Sequence, residues 1–184
     1  MSTHRPTFAG PWAISVRELG RRPGAMRTYT GVIPAPEGGM GLPTIGVPPG
    51  SPVALDLRLE SAAEGVYVSG TAHAGLEGEC ARCLDPLTDE VTVPIGELFA
   101  YPDTVTDETT DEDELPRVVG DHVDLEQTVR DALVLDLPLA PLCRPDCRGL
   151  CAECGAKWAD LAPDHGHETL DPRWAALRER LPAE

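Results

Sequence analysis

Aromatic side chains are scarce in this 184-residue chain: three Trp, three Tyr and two Phe amount to 4% of it. Since 41% of the residues are hydrophobic, the core must be built from aliphatic side chains. There is no run of about 18 apolar residues, the minimum for a membrane-spanning helix, so no membrane association is expected. The opening Met1-Ser-Thr-His-Arg-Pro6 lacks the basic stretch, apolar segment and small-residue cleavage site of a secretion signal. The expected location is therefore cytoplasmic, where thiols stay reduced. Positive charge is scarce in the middle of the chain. Residues 31–142 hold four Arg against 22 carboxylates, whereas residues 1–30 carry a net charge of +4 and residues 143–184 a net −2. A body this acidic repels a phosphate backbone, so broad RNA binding is disfavoured and a basic protein partner suits it better. The sequence also lacks an HExxH pair, a nucleophile elbow and a phosphate-cradling glycine loop. No enzyme and no small-molecule substrate are expected.

What is abundant is cysteine in metal-ligand spacing. Cys80-Ala-Arg-Cys83 is one CxxC turn, and about sixty residues later Cys143, Cys147, Cys151 and Cys154 follow in close succession, with His165 and His167 beyond them. A CxxC turn aims two thiolates at one point, which is half of a tetrahedral zinc site. Gly155 directly after Cys154 permits the left-handed backbone that lets amides reach the sulfurs. Eight donors suffice for one or two zinc ions. Cys151 and Cys154 can join His165 and His167, leaving Cys80 and Cys83 to Cys143 and Cys147. Alternatively Cys80, Cys83, Cys151 and Cys154 form one all-cysteine site. Thiol–disulfide chemistry is the weaker reading, because such motifs open a helix after a strand, and the thiols would also suit an iron–sulfur cluster. His4, His73 and His122 are isolated.

The 19 prolines and 18 glycines predict a loop-rich chain of short strands. Trp12, Ile14 and Val16 alternate as a strand would, ended by a turn at Arg21–Gly24. Residues 34–52 read as a long loop. Val53, Leu55, Leu57 and Leu59 share one face of the clearest strand, with Val66–Ala72 as its antiparallel partner. Val91–Phe99 is a third strand, and Pro94 within it argues for a sheet edge or a bulge. Strand, strand, knuckle, strand makes a meander with CxxC at one hairpin end. Residues 103–114 contain seven carboxylates and no basic residue, so they read as a loop, with a partner-binding acidic patch as the alternative. Asp124 and Gln127 form a capping-box pattern for a helix that buries Leu125, Val129, Ala132 and Leu133 and stops at Pro138. A second short helix after Asp171-Pro172 carries a stripe of Trp174, Leu177 and Leu181. The expected fold is α+β: an antiparallel meander or partly open barrel packed by one or two helices, with a zinc-knuckle C-terminal extension. Three units are expected: a basic N-terminal arm over 1–31, an acidic core over 32–142, and a metal-stapled extension over 143–184.

The sequence resembles the YceD family, named for large ribosomal RNA subunit accumulation, and its actinobacterial branch in particular. The resemblance rests on Val16-Arg-Glu-Leu-Gly-Arg-Arg-Pro-Gly24, Gly78-Glu-Cys-Ala-Arg-Cys-Leu-Asp-Pro86, Glu97-Leu-Phe99, Asp124-Leu125, Leu137-Pro-Leu139, Cys143–Gly155 and Asp171-Pro-Arg173. Where similar sequences often carry a CxC pair, this chain has His165-Gly-His167, a departure that preserves metal-binding capacity. The resemblance implies a non-enzymatic factor for ribosome biogenesis that supports large-subunit ribosomal RNA. Its partners would be ribosome assembly components, including a small basic large-subunit ribosomal protein whose gene typically lies beside that of family members. RNA or an acidic partner, if reached, would be met through Arg17, Arg21, Arg22 and Arg27 of the arm. The alternatives are a zinc-ribbon-like nucleic-acid-binding or regulatory module and, further off, a thiol-redox or metal-dependent enzyme.

Overall fold

The computed structural model describes residues 10–104, 115–167 and 173. Its centre is one antiparallel sheet. Strands β5 (Pro52–Ser61), β6 (Gly65–Glu79) and β7 (Pro86–Ala100) form the expected meander. β6 and β7 pair along their full length, from Gly65↔Ala100 to Glu79↔Pro86. The period-two pattern does what it should: Val53, Leu55, Leu57 and Leu59 of β5, Val66 and Val68 of β6, and Val93, Ile95 and Phe99 of β7 are all buried on one face. Pro94 sits in β7 at the sheet edge, where its missing N–H leaves no ladder bond unmade.

Among the described residues the sheet is open and does not close into a barrel, because β7 and β2 (Met26–Pro34) both lie at edges and do not pair with each other. β2 pairs with β5 from Met26↔Glu60 to Pro34↔Pro52. Its inward positions are Arg27, Tyr29, Gly31 and Ile33, so an arginine and a glycine dilute the alternation. The long loop expected over 34–52 contains a hairpin, β3 (Met40–Leu42) and β4 (Ile45–Val47), and β4 extends the sheet beside the far end of β6. Gly41 and Gly46 face each other across it, and a Cβ on Gly41 would lie 2.4 Å from Gly46 Cα and 3.2 Å from Leu137. Packing close under the helix requires side chains to be absent there, which erases the strand signature.

The helix, α1 (Glu126–Asp136), packs on β7 and β3. Leu125, Val129 and Leu133 are fully buried, each removing apolar surface worth about 2 kcal/mol. Its start differs from the expected capping box. Leu125 occupies the cap position, Asp124 Oδ1 accepts the Glu126 N–H at 3.0 Å, and Gln127 turns forward to Asp131 instead of back. Leu137 ends the helix and Pro138 prevents its continuation.

The N-terminal segment contributes β1 (Ala13–Ser15), paired antiparallel with β8 (His122–Asp124), then a 3-10 turn at Arg17–Leu19. Trp12, Ile14, Val16 and Leu19 join the same core as the sheet. The architecture is α+β, with one α-helix among the described residues. The second helix expected around Trp174, Leu177 and Leu181, most of the 103–114 loop, and His4 lie outside them. Among the described residues no helix is long and apolar enough to cross a membrane.

Candidate metal centres

The β6–β7 hairpin ends in the tip Cys80–Asp85. The Cys80 amide donates to Asp85 O at 2.8 Å and the Leu84 amide to Cys80 O at 2.9 Å. The second CxxC repeats this pattern. Cys151 N donates to Ala156 O at 2.7 Å, Gly155 N to Cys151 O at 2.8 Å, and a bridge between Leu150 and Lys157 closes the loop. Both turns place the residue after the second cysteine in the left-handed region: Gly155 at φ 71° and Leu84 at φ 60°. For glycine this is free; a leucine adopts it against its own Cβ.

After α1 the chain returns to the hairpin tip, where Ala81 N donates to Pro141 O at 2.8 Å. That approach decides the ligand partition. Cys80, Cys83, Cys143 and Cys147 form one cluster; Cys151, Cys154, His165 and His167 form the other. Within each, all donor atoms lie within 4.8 Å of one another. The alternative single site of Cys80, Cys83, Cys151 and Cys154 is not the arrangement found. Cys83 and Cys143 sulfurs are 3.6 Å apart, and those of Cys80 and Cys147 3.8 Å. A tetrahedron with metal–sulfur bonds of about 2.3 Å has edges of about 3.8 Å. In the second cluster Cys154 Sγ lies 3.7 Å from His165 Nε2, again the length of such an edge. Each cluster can hold a four-coordinate metal ion.

The electrostatics fit a cation. The backbone amide of Cys143 holds the Cys80 thiol down at about 6, helped by those of Arg82 and Cys83 and opposed by burial. The amides of Cys154 and Glu153, with the His165 ring, likewise bring Cys151 to about 6. Thiolate is the ligating form, so both are prepared for a metal. Cys83 is pushed up: the Asp85 amide lowers it, but burial and the neighbouring Cys80 and Asp85 side chains outweigh that. Cys143 is also raised, as burial and the other thiols overcome its hydrogen bond with Cys83. Four touching thiols cannot all ionise unless a cation compensates them.

The two clusters are joined by residues whose role the sequence did not announce. Lys157, beside the second knuckle, pairs with Asp85 of the first. That ammonium lowers the Asp85 carboxyl, and Asp85 in turn raises Lys157. Arg82, inside the first CxxC, donates to Cys147 O at 2.8 Å. Gly149 stands so close to Arg82 that a Cβ would lie 2.9 Å from its carbonyl oxygen. Trp158 packs edge-on to His165 with Arg148 stacked 4.3 Å over its ring, giving the tail a small core of its own.

The four arginines expected to meet RNA or a partner are not part of either cluster. Arg17 pairs with Asp121 at 3.8 Å, Arg27 with Glu18 at 3.5 Å, and Arg21 with Asp103 at 3.0 Å while covering the Tyr101 ring. Arg22 is exposed. His73 bonds Thr92 Oγ1 and His122 bonds Gly120 O, consistent with structural roles.

The family model described as "Large ribosomal RNA subunit accumulation protein YceD" matches residues 68–179, a span that starts in β6 and takes in β7, α1 and both clusters. The chain belongs to the YceD family. An uncharacterized protein of Mycobacterium tuberculosis (strain ATCC 25618 / H37Rv) is 50% identical over 182 residues, covering 97% of this chain and 87% of that protein. A relative in Mycobacterium leprae is 43% identical over 171 residues, 93% of this chain and 78% of that one. The more distant YlbN of Bacillus subtilis, also described as uncharacterized, is 24% identical over 132 residues, 71% of this chain and 75% of its own. No solved structure matches the chain. The Mycobacterium tuberculosis relative, which covers 97% of this chain, is also similar over β1–β5, which the family model leaves out.

Proposed function

We propose that this YceD-family protein is a non-enzymatic, cytoplasmic factor that supports accumulation of large-subunit ribosomal RNA, and that it holds two structural zinc ions. The observation that carries the reading is the family match over residues 68–179, which includes all eight candidate ligands. Four sulfurs in one cluster, and two sulfurs with two imidazoles in the other, are donor sets that zinc favours. Four protein donors per ion leave no open position for a substrate, which supports a structural metal over a catalytic one. Three of the four N-terminal arginines already have carboxylate partners, and the middle of the chain is strongly acidic. Both features favour protein contacts within an assembling large subunit over direct RNA binding. The test is the ratio of large- to small-subunit ribosomal RNA in cells lacking the gene. The ratio falls and is restored by the intact gene; an unchanged ratio would sink the reading.

A further inference from the structure

Among the described residues, β7 is an edge strand with hydrogen-bonding capacity left over. Ala100 donates from its amide to Pro116 O at 2.9 Å and accepts at its carbonyl from Val118 N at 2.9 Å, both on the side away from β6. Tyr101 N instead bonds Glu64 O, on the β6 side. Backbone groups alternate sides along a strand, so the even-numbered residues of β7 face outward. Pro94, without an N–H, falls in that outward set. Thr92, Gly96 and Leu98 therefore present N–H and C=O groups to the outside, and among the described residues only Ala100 has its outward groups taken by another segment. The short pairing with residues 116–118 marks this edge as one that accepts an added strand.

Beside the open edge lies a groove of about 480 Å³ between β7 and α1. Its apolar lining includes Ile95, Pro116 and Ala132, its charged lining is Glu97, Asp124 and Asp131, and no basic residue contributes. We infer that this groove takes an extended segment of a partner protein carrying lysine or arginine, added to β7 as a further strand. Backbone bonds along the edge would supply register, and the carboxylates would select basic side chains. Other occupants have the wrong charge. Nucleic acid would bring phosphates to carboxylates, a second copy would bring another net −16, and residues 105–114 of this chain hold six carboxylates and no base. The inference deepens the reading that the acidic body works through protein contacts.

The test uses the full-length, zinc-loaded protein and two twelve-residue peptides, one alternating Lys with Val and Thr, the other with Glu replacing Lys. The lysine peptide binds and slows hydrogen exchange of the Gly96 and Leu98 amides, and the glutamate peptide does neither. Glu97→Lys with Asp131→Lys weakens binding about tenfold or more at an unchanged melting temperature, and Asp131→Asn alone weakens it less. Binding that leaves those two amides unprotected, or is indifferent to the substitutions, overturns the inference. So does protection of the same amides by self-association or by an RNA oligonucleotide. Failure here would leave the ribosomal RNA measurement standing, since that uses cells lacking the whole protein.

Discussion

The two cysteine knuckles share a backbone trace and differ in almost everything else. The first sits at the end of a hairpin of two fifteen-residue strands and gathers its remaining ligands from the tail, so its four sulfurs join two distant parts of the chain. Three of them are buried. The second draws all four donors from the tail itself, and only Cys151 of the four is buried. One cluster lies where a metal would fasten the tail to the sheet; the other lies wholly within the tail. The same local turn can thus serve tertiary or local order, depending on where its partners come from.

The largest effect should separate these roles. Cys147→Ser removes a ligand from the fastening centre, so native mass spectrometry should count one metal instead of two. Calorimetry should show the melting temperature lower by roughly 10 °C or more, because metal binding at such sites is folding free energy. Cys154→Ser should also lose one metal, yet leave the melting of the sheet nearly unchanged. Equal losses of stability from the two variants would erase the distinction.

A smaller effect concerns the residue that ends each turn. Leu84→Gly should raise stability by about 1 kcal/mol, since the leucine is 60% exposed and gives up little packing while the glycine escapes left-handed strain. Gly155→Leu should cost a similar amount; no atom lies within 4 Å of a Cβ there, so backbone conformation alone is at stake. Urea denaturation of both variants measures this. If both substitutions destabilise, the Leu84 side chain makes contacts that matter more than its φ angle.

The smallest effect is that of the pair linking the knuckles. Lys157 and Asp85 are each 40% exposed, so Lys157→Met should lower the denaturation midpoint only slightly. The difference from wild type should shrink further in about 1 M salt, where charges are screened within about 3 Å. A loss as large as that of Cys147→Ser would mean that the ion pair, rather than the metal, holds the tail in place.

The eight candidate ligands were legible as a set because a metal site asks for short, regular spacings of cysteine and histidine. Their partition was not. Spacing along the sequence cannot tell which knuckle Cys143 will meet; the hydrogen bond from Ala81 to Pro141 settles that, and it depends on where α1 ends. The meander and the buried face of α1 were legible from aliphatic periodicity; Pro94 allowed an edge or a bulge, and the unbroken β6–β7 register leaves the edge. β2 was hidden by Arg27 and Gly31 on its inward face, and β3–β4 by glycines that must be there for close packing. Nothing about Leu84 signalled a left-handed residue, because leucine is a poor choice for that conformation and is tolerated here by the turn around it.

The separation of Cys80 from Cys147 by 67 positions also imposes a schedule. During synthesis the hairpin tip emerges with two thiols and must wait for β7, α1 and the start of the tail before its second pair arrives. The second centre needs only the span from Cys151 to His167, a delay of a few seconds at most at ordinary elongation rates of about 5–20 residues per second. A nascent chain starved of metal would therefore hold a paired but unlatched hairpin, and an ion that arrived late could still close it.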